Sequence, residues 1–189
     1  MKKPSKAKLT RLKGPKGFIP TYGTGEPAQK AWVNLNRFMA HLSRQQRQTP
    51  VETLHEWLED FGLWNIAEGL EDEAGSRENG EAAAVWLIIA GPDIYNDRSW
   101  GNRDGSPSPG IPLRQGFLWS TRLDAGATQE MRWDFWKERL LKISREESLD
   151  VSTYFRETAR QAERVMGEIQ SAASSREGWK NIVPLELES

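Results

Sequence analysis

The residues able to do chemistry gather in one part of this sequence. Asp93, Tyr95, Asp97 and Arg98 follow an apolar run. Trp100, Trp119 and Arg122 lie in a Gly- and Pro-rich stretch, and Arg132, Trp133, Trp136 and Glu138 open the next periodic segment. A carboxylate and a phenol close together suit acid–base work. Trp faces and arginines suit an apolar pocket with a few orienting polar groups, the usual form of a small-molecule site. We therefore take Asp93 and Tyr95 as candidate catalytic groups, and Trp100, Trp119, Arg122, Arg132 and Trp133 as candidate ligand-binding groups. Trp133 and Trp136 also fit a plain core role.

Other chemistries find little support. The chain has no cysteine, so disulfides, thiolate catalysis and Cys-based zinc sites are excluded. Of the two histidines, His55 pairs with Glu59 at i, i+4, which is half of a zincin-like ligand pair; the second His is missing, and no metal site is expected. No G-x-S-x-G elbow and no Gly-Lys-Ser/Thr loop occurs, and Gly23-Thr24-Gly25 lacks the rest of a phosphate-binding turn. No cofactor is implied. Arg156, Arg160 and Arg164 form a helical row, but Glu157, Glu163 and Glu168 interrupt it, so it reads as a salt-bridged surface and not as a nucleic-acid interface.

These residues must be positioned by helices. Trp32, Leu35, Met39 and Leu42 recur at helical spacing in a first helix over about 27–46. A capping box of Thr49 and Glu52 opens a second, with Val51, Leu54, Leu58 and Phe61 as its stripe and Gly62 as a kink or end. Residues 71–81 read as an acidic loop. The third helix, 81–90, is apolar on all sides and should be the buried centre, with Trp86 and Leu87 inside, until Gly91-Pro92 stops or kinks it. A fourth spans about 128–146 with Trp133, Trp136, Leu140 and Ile143 on one face. A fifth, capped by Asp150 or Ser152, reaches about 173 along Phe155, Ala159, Ala162, Met166, Ile169 and Ala173. The expected fold is all-α: a single-domain bundle of about five helices with a long irregular loop between helices three and four. Residues 1–26 form a basic arm, 27–175 the helical domain and 176–189 a tail.

Composition agrees with a packed domain. Nine tryptophans in 189 residues supply much of the burial energy. The longest apolar run, 82–90, is far short of the ~20 residues that span a bilayer. With no signal-like apolar core at the N-terminus, an intracellular location, cytoplasmic or nuclear, is expected. Residues 1–25 carry seven Lys or Arg and no acid, while the whole chain is −1, so the remainder is −8. That arm reads as a solubilising tail or as a tag for nuclear import or anionic surfaces, contributing little to folding.

Four segments taken in order, A-W-V-N-L-N-R-F at 31–38, L-W-N-I-A-E-G-L-E at 63–71, A-A-A-V-W-L-I-I-A-G at 82–91 with Tyr95, and R-W-D-F-W-K-E-R-L at 132–140, resemble a family of uncharacterised helical proteins of filamentous fungi, known as a domain of unknown function. The resemblance implies an all-helical fold and a fungal source, with specialised-metabolite biosynthesis as its context. It implies no reaction and no site residue. Two functions are thus expected from the residues: a protein that binds a hydrophobic or aromatic small molecule, as an accessory enzyme independent of metal and nucleotide, or a non-enzymatic protein-interaction module with a basic targeting arm.

Overall fold

The computed structural model describes residues 26–48, 52–73, 75–96, 116–121, 128–146 and 151–175. Within them run six helices and no strand: α1 (Glu26–Gln48), α2 (Glu52–Leu70), α3 (Gly75–Asn96), the single-turn α4 (Phe117–Ser120), α5 (Gln129–Ser144) and α6 (Thr153–Ser174). The all-α bundle expected from periodicity is what forms. Its basic arm, its tail and the capping side chains of Thr49 and Glu52 lie outside the described residues.

α3 is the axis. Residues 79–92 are all buried, and α1, α2 and α6 pack around them. Trp86 and Leu87 are 1% and 0% exposed, as an all-apolar helix requires. α5 packs on α6 and touches α2. Its stripe of Trp133, Trp136, Leu140 and Ile143 is buried, as is the α6 stripe from Phe155 to Ile169. Thr128 accepts from Met131 N at the start of α5, and Ser152 accepts from Phe155 N at the start of α6, each capping an orphan backbone donor.

Three local expectations are corrected. Gly62 does not end α2, which runs on to Leu70. A Cβ there would lie 2.7 Å from the Trp86 ring, so glycine is what lets the two helices close on the indole. α3 begins at Gly75, well before Glu81, because tertiary contacts hold a segment of weak helix propensity: Asn79 is buried and accepts from Trp32 Nε1 at 3.0 Å. Pro92 does not stop α3. The turn beyond it is held by burial of Ile94 and by Asn96, whose amide donates to the Pro92 carbonyl.

A fourth correction concerns α1. Its inward face is Trp32, Val33, Asn36, Ala40 and Ser43, while Leu35 is exposed. The stripe is displaced because two asparagines link the core polar groups. Asn36 Oδ1 accepts from Trp86 Nε1 at 2.9 Å, and Asn36 Nδ2 donates to the Trp32 carbonyl at 3.0 Å. Together with Asn79 they satisfy both indole N–H groups between α1 and α3.

Candidate functional site

α2 ends on Leu70, and the next residue, Glu71, turns its carboxylate into the protein with no exposed surface. Four donors meet it. Arg132 gives Nε at 2.6 Å and Nη2 at 3.0 Å in a bidentate pair, Trp136 gives Nε1 at 2.7 Å, and the backbone N–H of Gly116 comes to 2.8 Å. The Glu71 carbonyl accepts from Leu118 N at 2.8 Å, and Arg139 Nε reaches the Leu70 carbonyl at 3.2 Å. The Arg132 guanidinium also lies over the Trp136 ring, 5.3 Å from its centre. A buried charge with its pairing complete is tolerated, and here it ties the end of α2 to α4 and α5. Gly116 is obligatory: a Cβ would sit 2.4 Å from Glu71 Cβ. The cluster is a structural latch, with every oxygen committed.

Of the residues expected from the sequence to form one site, Tyr95 and Trp133 meet, while Asp93, Trp119 and Arg132 turn to other partners. Asp93 points to α1, where Arg44 Nε is 3.5 Å from its carboxylate. Tyr95 points to α5 and packs edge-on against Trp133, with ring centres 4.8 Å apart. Burial raises the Tyr95 pKa above its ordinary value, and the carboxylates of Glu130 and Asp134 raise it further, so the phenol keeps its proton at neutral pH. Trp119 is buried on α4 and tilts against Phe135 at 5.4 Å, on another flank of α5 from Trp133. Arg132 is held by Glu71. Trp100 and Arg122 lie outside the described residues. Trp133 is fully buried and, among the described residues, its Nε1 meets no acceptor.

Glu71 was hidden from sequence reading by the acidic stretch that follows it. The available signal was spacing, since it stands four residues after Ala67 and extends the buried face of α2.

Two arginines of the α6 row are engaged. Arg156 clasps the carbonyls of Glu146 and Val151, each at 3.1 Å, and Arg164 pairs with Glu168 at 3.6 Å. Two open depressions of about 450 and 500 Å³ flank this region, lined by Glu138, Lys142, Arg145 and Arg160 among others. Among the described residues no group of three or more acids and histidines is placed to hold a metal ion, and no helix is long and apolar enough to cross a membrane.

The outer side of α1 and α2 is different. Leu35 and Phe38, one turn apart on α1, are 42% and 61% exposed, and Trp57 on α2 is 54% exposed. Trp57 stacks on Phe61 at 5.5 Å with an interplanar angle of 15°, and Phe61 meets the edges of both Trp32 and Trp86. Aromatic rings therefore run without a break from the central helix to the surface. At 100° per residue, Leu35 and Phe38 lie on the flank of α1 away from Arg37 and Arg44, the two residues that turn to Tyr154 and Asp93. α2 carries Glu52, Glu56, Glu59, Asp60 and Glu68 and no Lys or Arg.

No curated protein and no solved structure matches the chain. A family model does match residues 19–140, which take in α1 to α4 and most of α5, the Glu71 latch and the exposed aromatic face. The chain belongs to that family, described as protein of unknown function DUF3632.

Proposed function

We propose that the chain is a non-enzymatic interaction module that holds a basic, apolar segment of a protein partner on the outer face of α1 and α2. The exposure of Leu35, Phe38 and Trp57 beside an aromatic series rooted in the core carries this reading. Single exposed apolar residues are ordinary, but large ones grouped on neighbouring helices mark a contact surface. Trp is also the residue type that most often dominates such contacts. Glu52, Glu56, Glu59 and Asp60, in the half of α2 that carries Trp57 and with no Lys or Arg among them, favour a cationic partner. A displayed-peptide selection on the folded protein tests this. Recovered binders should combine Lys or Arg with aromatic residues, and should be lost on Phe38→Ser/Trp57→Ser. Binders indifferent to that pair would remove the reading.

One observation favours the small-molecule alternative. The unaccepted Trp133 Nε1 beside Tyr95 is a buried donor that a hydrophobic or aromatic ligand with one acceptor atom would satisfy. In that reading the chain is an accessory enzyme of fungal specialised metabolism, and native mass spectrometry of protein from its own host would carry a ligand that Trp133→Phe loses.

A further inference from the structure

We propose that the partner segment held on the outer face of α1 and α2 is an α-helix, laid along the furrow between the two, with apolar side chains at three- and four-residue intervals and Lys or Arg on the flank beside α2. The inference rests on the reading of that face as the contact surface. It adds the conformation of the partner and the place of its charges.

Spacing and charge lead to it. On α1, Ala31, Leu35 and Phe38 are exposed and Leu42 is half-buried, at intervals of four, three and four residues. At 100° per residue they share about 60° of arc. On α2, Trp57 is exposed and Phe61 and Trp64 are half-buried, at intervals of four and three and again within about 60°. The edge contact of Trp32 with Phe61 sets the two helices side by side. Each therefore leaves an outward stripe with the mean period of a helix–helix seam. The rise from one side chain to the next, about 4.5–6 Å, is that of another helix. An extended chain places residues of one side about 7 Å apart and falls out of step. The α1 stripe is uncharged, and Lys30, Arg37 and Arg44 lie at least about 140° from Leu35. The acids stand in the half of α2 that carries Trp57. The bound helix is thus apolar towards α1 and cationic towards α2. A second copy fits less well, since it sets those acids against an uncharged stripe or against the same acids. The stripe from Ala31 to Leu42 rises about 17 Å, so the partner helix has about three turns. A helix that short is marginal alone in water and folds as it binds.

The test sets two displayed peptide libraries against the full chain. One fixes apolar residues at three- and four-residue intervals, the other at alternate positions, and both allow Lys, Arg, Glu and Gln equally elsewhere. Binders should come from the first library, with Lys or Arg gathered on one flank of the helix. The strongest, made as a free peptide, should gain helical circular dichroism on binding. A proline at one of its central outward positions should weaken it at least about tenfold in fluorescence anisotropy, because the helix breaks while the contacting side chains stay. Binders of equal strength from the alternating library, or a proline without effect, would overturn the helix; if those binders are lost on Phe38→Ser/Trp57→Ser, the contact surface still stands. Helical binders indifferent to that double substitution remove the contact-surface reading and this proposal with it. Failure of both libraries overturns the proposal as well. Hydroxyl-radical oxidation of Trp57 then shows what covers the face: protection lost on dilution assigns it to a second copy, and protection that persists assigns it to the chain itself.

Discussion

Glu71 and Trp57 lie towards opposite ends of α2 and depart from ordinary burial in opposite directions. Glu71 is a charged group with no exposed surface, and Trp57 is a large apolar group with more than half of its surface in water. The first departure is compensated: four donors and a backbone pairing surround the carboxylate. The second has no compensation among the described residues. The difference separates two kinds of anomaly. A buried polar group with complete pairing reports on how the fold is held together. An exposed aromatic stacked on the core is the feature on which the proposed contact surface rests, since leaving it in water gives up burial energy of order 2 kcal/mol.

Removing one member of the buried cluster should have the largest effect. Arg132→Ala leaves the Glu71 carboxylate without its bidentate partner and should lower stability by about 3–5 kcal/mol in urea unfolding. Trp86→Ala should match it, at about 3–5 kcal/mol, because it empties the centre of α3 and leaves Asn36 Oδ1 without the indole donor. An unchanged midpoint in either variant would break the distinction between the packed side and the open face. Next comes Gly116→Ala. Its new methyl meets Glu71 at 2.4 Å and must push the loop off, at about 1–3 kcal/mol. Hydrogen exchange at Leu118, whose amide bonds the Glu71 carbonyl, should speed up in that variant ahead of exchange in α3.

The open face should respond in the opposite sense. Phe38→Ser/Trp57→Ser removes two large side chains, yet stability should shift by about 1 kcal/mol or less, since both are more than half exposed. Peptide binding should be lost. A stability loss as large as that of Arg132→Ala would show that the face belongs to the core and would remove its reading as a contact surface.

Periodicity made most of the fold legible. The stripes of α5 and α6 and the all-apolar run of α3 each have one solution at 3.6 residues per turn. What could not be read were positions where tertiary contact outweighs local preference. Gly62 looks like a break because a helix normally gains nothing from glycine, and only the Trp86 ring across the interface explains it. Gly75 to Gly80 looks like loop because its stabilisation comes from Trp32 and Phe155 on other helices. The same limit applies to the site. Asp93 and Tyr95 are two residues apart in sequence, and on a helix that spacing sends them to different neighbours, Arg44 and Trp133. Linear proximity joins Asp93 and Tyr95 as one pair of groups, and helical geometry separates that pair. Leu35 reads as inward because it fits the i, i+3 pattern of Trp32, whereas Asn36, which takes the inward position and bonds Trp86, carries no apolar signal.

A second buried carboxylate sharpens the comparison with Glu71 on the smallest scale. Glu81 lies on α3 and is buried, with Arg37 of α1 nearby; Arg37 Nη2 is itself engaged with the Tyr154 hydroxyl on α6 at 3.1 Å. Burial raises the Glu81 pKa above 4.5, and the Arg37 charge only partly opposes it. The folded protein therefore binds this proton more tightly than the unfolded chain does. As pH rises from the unfolded value near 4.5 through the higher folded value, the unfolded state releases its proton first and stability falls. Above that window the cost of a buried carboxylate is fully present; below 4.5 it is absent. Glu81→Gln keeps the shape and abolishes the titration. Measured by urea unfolding at pH 4, 5.5 and 7, the variant should lose less stability across the range than the parent, so that the difference between them moves in favour of glutamine as pH rises. A difference moving the other way would mean that Arg37 outweighs burial, and that Glu81, like Glu71, is held as a paired charge.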